Sequence, residues 1–100
     1  MSNLYYHPED HGLTIVYDVD AADAYEFDQF VIWRDGAGRY FWASDAGCSC
    51  PSPFEDVSNR DELEQGEARY ALNALADWIT SDDWSFQRRR NAVGNLPDLD

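Results

Sequence analysis

Leu13, Ile15, Tyr17 and Val19 alternate with Thr14, Val16, Asp18 and Asp20. A repeat of two predicts a strand with one buried face. After a polar connection over 20–24, the run from Tyr25 to Arg34 starts with the same alternation, Tyr25 and Phe27 against Glu26 and Asp28. It then becomes apolar on both faces through Phe30, Val31, Ile32 and Trp33, as a strand covered on both sides does. Asp35-Gly36-Ala37-Gly38 predicts a tight turn. Pairing Arg34 with Arg39 across it would set Trp33 opposite Tyr40, Ile32 opposite Phe41 and Val31 opposite Trp42. Cross-strand aromatic pairs of that kind contribute about 0.2–1 kcal/mol each.

The period changes after the third strand. Gly47, Pro51 and Pro53 hold residues 45–57 open as a loop, and Ser58 or Asn59 then offers a helix N-cap. Asp61 or Glu62, three residues on, would complete a capping box. Leu63, Tyr70, Ala71, Ala74, Leu75, Trp78 and Ile79 fall on one helical stripe, with Gly66 inside it. Ser81 with Asp82 and Asp83 can start a short second helix through Arg88-Arg89-Arg90. The expected fold is α+β: a three-stranded antiparallel sheet followed by one long and one short helix. Its segments are an N-terminal stretch (1–11), a β-meander (12–44), a Cys/Pro loop (45–57), helices (58–90) and a frayed tail (91–100).

One hundred residues, 44% of them hydrophobic and 15% aromatic, suffice for one core and not for two. Twenty acidic residues face seven basic ones, all arginine, for a net charge of −13. Such a field repels phosphate backbones and anionic membranes and steers basic partners inward. No apolar run approaches the length of a bilayer span. The opening MSNLYYHPEDHG lacks the basic and apolar stretches of a secretory signal, so the expected compartment is the cytoplasm. Cys48 and Cys50 are too close in sequence to staple anything by bridging, and reduced thiols are expected.

Candidate chemistry is sparse. His7, His11, Cys48 and Cys50 are four ligands of the type zinc takes, but a one-residue gap between the cysteines strains a shared metal. Pro8 also disfavours a helical pair of histidines. Asp18, Asp20 and Asp23 suggest a calcium loop until Ala22, Asp23 and Gln29 fall where an oxygen ligand, glycine and glutamate are required. The expectation is therefore no metal, no cofactor and no enzymatic activity. Arg88, Arg89 and Arg90 point three ways from a helix and are expected to pair with the protein's own carboxylates. The loop from Cys48 to Phe54 either carries the chain from sheet to helix, with Phe54 as a plug, or presents a shaped surface to a partner.

The run FDQFVIWRDGAGRYFWASDAGCSCPSPFED resembles small proteins of actinobacterial bacteriophages. Its Gly-Arg-Tyr-Phe-Trp strand and Gly-Cys-Ser-Cys-Pro-Ser-Pro-Phe-Glu loop carry the likeness. The resemblance implies a phage origin, action in the host cytoplasm and no enzymatic role.

The leading expectation is an acidic interaction protein that binds a host protein, one with a basic surface, and so inhibits or modulates it. Cys48, Ser49, Cys50, Pro51, Pro53 and Phe54 are its candidate contact residues. The alternative is a nucleic-acid mimic that blocks a DNA- or RNA-binding protein through Asp18, Asp20, Asp23, Glu26 and Asp28. Carboxylates two apart on a strand lie about 6.6 Å from each other, near the spacing of phosphates. A small zinc-binding protein is the second alternative. No direct nucleic-acid or membrane partner is expected, and the chain would be a monomer or a small homo-oligomer.

Overall fold

The stretch that is apolar on both faces takes a central place in the sheet. A computed structural model of the chain describes residues 3–22, 26–48, 53–55, 57 and 59–99. In it Glu26–Asp35 (β2) lies between Leu13–Asp20 (β1) and Tyr40–Cys48 (β3), and Glu64–Gly66 (β4) pairs with the far side of β3. All three pairings are antiparallel. Two helices follow, Ala68–Thr80 (α1) and Phe86–Val93 (α2). The class is α+β as expected, but the sheet has four strands, not three.

Each face of the sheet carries its own core. Val19, Phe30, Ile32, Tyr40 and Trp42 pack against Ala71, Leu75 and Trp78 of α1. On the other face Leu13, Val31, Trp33 and Phe41 meet Leu4, Phe54 and Leu63. Leu4 and Trp33 are both fully buried there. Trp33 Nε1 donates to the Leu4 carbonyl at 3.1 Å, which ties the N-terminal segment down. Burying a side chain such as Leu4 contributes about 1.5–3 kcal/mol.

The first strand departs from its pattern. A bulge between Ile15 and Tyr17 shifts the register, so Ile15 pairs with Trp33 and Tyr17 with Ile32. Leu13 and Ile15 therefore face one core, and Tyr17 and Val19 the other. The bulge absorbs Val16, which is left exposed.

The hairpin register is also one residue from the expected pairing. Trp33 faces Phe41, Ile32 faces Trp42, and Arg34 meets Tyr40 instead of Arg39. The turn sets this. Asp35 Oδ1 accepts from the amides of Ala37 and Arg39 at 3.0 and 2.8 Å. Gly38 closes the turn onto the Asp35 carbonyl with φ +90, a conformation glycine takes without strain.

The long helix starts at Ala68, well beyond its candidate cap at Ser58 or Asn59. Asn59 and Glu62 do form a capping box, but it caps the 3-10 turn Arg60–Glu62. The chain then extends through Leu63 into β4, and Gly66 sits in that strand, not in a helix. Leu63 is buried on the opposite side of the sheet from α1, and Tyr70 is exposed with Arg69 over its ring. Nor does the tail fray from residue 91. The second helix runs to Val93, and the Leu99 carbonyl accepts from the Tyr40 hydroxyl at 2.6 Å.

Candidate functional site

Because β4 is only three residues long, it covers Tyr40, Phe41 and Trp42 and leaves the rest of β3 without a neighbour on that side among the described residues. The third strand continues to Cys48, through what the sequence pattern reads as the start of the loop. Beside this free half lies an open groove of about 490 Å³. It wraps around the edge of the sheet, so both cores contribute to its floor: Phe30, Trp42 and Trp78 from the helix side, Phe54 and Leu63 from the other.

Four carboxylates rim this apolar floor, those of Asp45, Glu62, Glu64 and Asp77. No arginine is among the lining residues described. Glu64 pairs with Trp42 across the sheet and shares its face, while Asp77 projects from α1, whose next residue, Trp78, is core. Low-dielectric walls around like charges focus a negative potential in such a cleft.

Asp45 has a structural task as well. Its carboxylate accepts from the backbone amide of Phe54 at 2.8 Å and from that of Ala46 at 2.9 Å. It thus fastens the loop to β3 and satisfies one amide on the strand's open side. Phe54, one of the predicted contact residues, is a core residue. It is 2% exposed and packs edge-on against Trp33 at 5.3 Å. Its φ of +59 is a left-handed conformation that a bulky residue rarely takes. Pro53 is buried too, and its carbonyl accepts from Asn3 Nδ2. Cys48 ends β3; Ser49, Cys50 and Pro51 lie outside the described residues.

The predicted acidic surface does not form one face. Asp18 pairs with Val31 on the face opposite the helices, whereas Glu26 and Asp28 share the face of Phe30. Asp18 accepts from the Tyr5 hydroxyl at 2.5 Å, and Asp20 from the amides of Ala22 and Asp28. Burial, together with that hydrogen bond to Asp18, raises the Tyr5 hydroxyl to about 12. Asp23 lies outside the described residues.

Asp28 is no surface group at all. It is buried beneath α2 and binds Arg89 through both oxygens at 2.9 Å. The guanidinium also donates to the Trp78 carbonyl at 2.7 Å and to Ser81, and lies 4.5 Å over the Trp78 ring. Arg89 therefore clamps both helices to the sheet, which bears out internal pairing for that member of the arginine triplet. Arg88 donates to Ser85.

His7 precedes the 3-10 turn Pro8–His11 and His11 ends it, with His7 Nδ1 3.5 Å from Glu9. No group of three or more metal-ligating side chains forms among the described residues. Sequence reasoning missed Glu62, Glu64 and Asp77 as one constellation, because their proximity depends on the unforeseen β4. It also passed over Trp84, which stands 88% exposed between the helices beside Asp82 and Asp83. A tryptophan that exposed is unusual enough to be a signal in itself.

No helix of the described residues is long and apolar enough to cross a membrane. No curated protein and no solved structure matches the chain. The family described as Domain of unknown function (DUF7574) matches residues 2–95, nearly the whole sequence, and the chain belongs to that family.

Proposed function

We propose that this protein is a non-enzymatic binding module that takes a basic segment of a partner protein into the groove beside β3, and modulates the partner by holding it. The observation that carries this reading is the groove itself: an apolar floor flanked by Asp45, Glu62, Glu64 and Asp77, with no cation among its described lining residues. The floor supplies area to bury, and the rim supplies selectivity and a fast encounter. Among the described residues its lining offers carboxylates and the hydroxyls of Ser44 and Ser81, groups suited to holding a cationic side chain. On the resemblance to phage proteins, the partner would be a host protein met in the cytoplasm. Nucleic-acid mimicry draws less support, since Asp28 is buried and Asp18 and Glu26 lie on opposite faces.

The test compares immobilised wild type with Glu64→Gln/Asp77→Asn and with a charge-matched control, Glu9→Gln/Asp83→Asn. A partner retained by wild type and control, lost by the groove variant and then bound in purified form supports the reading. Identical retention by all three would refute it.

A further inference from the structure

The groove reads a strand. We infer that its occupant is an extended, lysine- or arginine-bearing peptide segment that adds to the sheet as a fifth strand along the free half of β3. This rests on the acidic-groove reading above and specifies how the partner is held.

The phase of the β2–β3 ladder supplies the argument. The Asp35 amide donates to the Arg39 carbonyl across the turn. Antiparallel pairs alternate between hydrogen-bonded and non-hydrogen-bonded. Phe41, Ala43, Asp45 and Gly47 therefore exchange bonds with β2, and Tyr40, Trp42, Ser44 and Ala46 turn their N–H and C=O groups to the other side. Tyr40 and Trp42 meet Gly66 and Glu64 there. Ser44 and Ala46 lie beyond the end of β4. The Ala46 amide confirms the phase, since it donates to the Asp45 carboxylate rather than to β2.

An open edge is a template for another strand, and proteins guard it with charge unless it is used. Asp45 guards the Ala46 amide, whereas the main-chain groups of Ser44 turn to the side of the groove, which Ser44 lines. The groove borders Ala43, Ser44 and Asp45, about 10 Å of strand at 3.3 Å per residue, enough for about three residues of added strand. Side chains of that strand would alternate between two flanks. One is the α1 flank, with Ala74, Trp78 and Asp77; the other holds Phe54, Val57 and Leu63. Apolar floor and acidic rim together call for a segment mixing apolar and cationic residues. An acidic or fully polar strand would meet like charge or leave the floor dry-packed against nothing.

The experiment uses the full chain and three acetylated eight-residue peptides: alternating lysine and valine, the same peptide methylated at every backbone nitrogen, and alternating glutamate and valine. Binding is followed by calorimetry and by amide exchange of Ser44. The lysine–valine peptide should bind, and Ser44 exchange should slow about tenfold or more as its amide becomes hydrogen-bonded. Methylation should weaken binding by about tenfold or more, because it removes the donors but keeps the charges. Ser44→Pro should abolish binding with the ladder to β2 intact, since that amide points away from β2.

Equal binding of the methylated peptide with unchanged Ser44 exchange would overturn the strand mode and leave the acidic groove standing. Equal binding of the glutamate peptide, or no binding of the lysine peptide, would overturn the basic-segment assignment. Ser44 protection that appears without peptide and grows with protein concentration, alongside dimers in sedimentation, would assign the edge to a second copy instead. Differential capture by Glu64→Gln/Asp77→Asn reports on the groove independently of all these outcomes.

Discussion

Two regions meet at Trp78 and treat the same chemical group in opposite ways. On one side the Asp28 carboxylate is buried, gripped at two points by Arg89 and covered by α2. On the other, Asp45, Glu62, Glu64 and Asp77 gather around an open groove with no cation among its described lining residues. Net charge is therefore a poor guide to function in this chain. An internally matched carboxylate contributes to the fold, whatever its place in the sequence. On the proposed reading, the exposed carboxylates of Glu64 and Asp77 at the groove receive charge from outside.

The largest effect should come from breaking the matched side. Arg89→Met leaves Asp28 buried without its ion partner, and loss of one member of such a pair costs about 3–5 kcal/mol. Adding Asp28→Leu should restore most of that loss, because removing both charges removes the desolvation penalty with them. Denaturant unfolding followed by tryptophan fluorescence reads both. A loss below about 1 kcal/mol for the single variant would put Asp28 in the exposed class and erase the contrast.

Phe54→Ala probes the border between the regions, since that ring lies under the groove yet belongs to the core with Trp33 and Tyr5. Truncating a buried phenylalanine costs about 3–5 kcal/mol. Near-normal stability in a urea melt would return Phe54 to the role of a presented contact residue.

How far the sequence discloses this arrangement differs from element to element. The β2–β3 hairpin and the Ala71, Leu75, Trp78 stripe are legible, because apolar runs of period two and 3.6 leave little choice. The bulge in β1 is not. Val16 is itself apolar, so inserting it between two half-strands leaves the alternation looking continuous. Asn59 and Glu62 show a real capping box, but the same hydrogen bonds cap a 3-10 turn as well as an α-helix. Three residues such as Glu64, Gln65 and Gly66 carry no periodicity, and β4 is what both creates the groove and ends it. Arg89 could be guessed to pair internally, whereas Asp28 as its partner, 61 residues away, depends on how α2 crosses the sheet.

The groove side should respond in binding and hardly at all in stability. Glu64→Gln/Asp77→Asn changes two exposed positions, and stability should move by no more than about 0.5 kcal/mol. Added salt should raise the stability of wild type at low ionic strength, because a Debye length of about 10 Å at 0.1 M already screens the mutual repulsion. The same addition should raise the double variant less. Thermal melts across a salt series decide the point, and stability that falls with salt would mean that attraction, not repulsion, dominates the surface.

The smallest effect tests an intermediate case, Asp18, which is on the surface but engaged by Tyr5 and Gln29. Burial, then the hydrogen bond to Asp18, lifts the Tyr5 hydroxyl from 10.0 to about 12. Tyr17 is raised as well, by burial and by the nearby charge of Asp18. The fold thus favours the protonated phenols. Their contribution is fully present below pH 10 and is lost as the pH climbs through the folded value, near 12 for Tyr5. Tyr5→Phe should flatten, without abolishing, the decline in stability between pH 10 and about 12, since Tyr17 continues to titrate. Asp18→Asn should bring the Tyr5 transition down toward pH 10, as followed by tyrosinate absorbance, with the part due to burial remaining. A Tyr5 transition at the ordinary value in wild type would place Asp18 with the exposed carboxylates of the groove, and the surface of β1 would then have to be counted beside the groove as ground open to a basic partner.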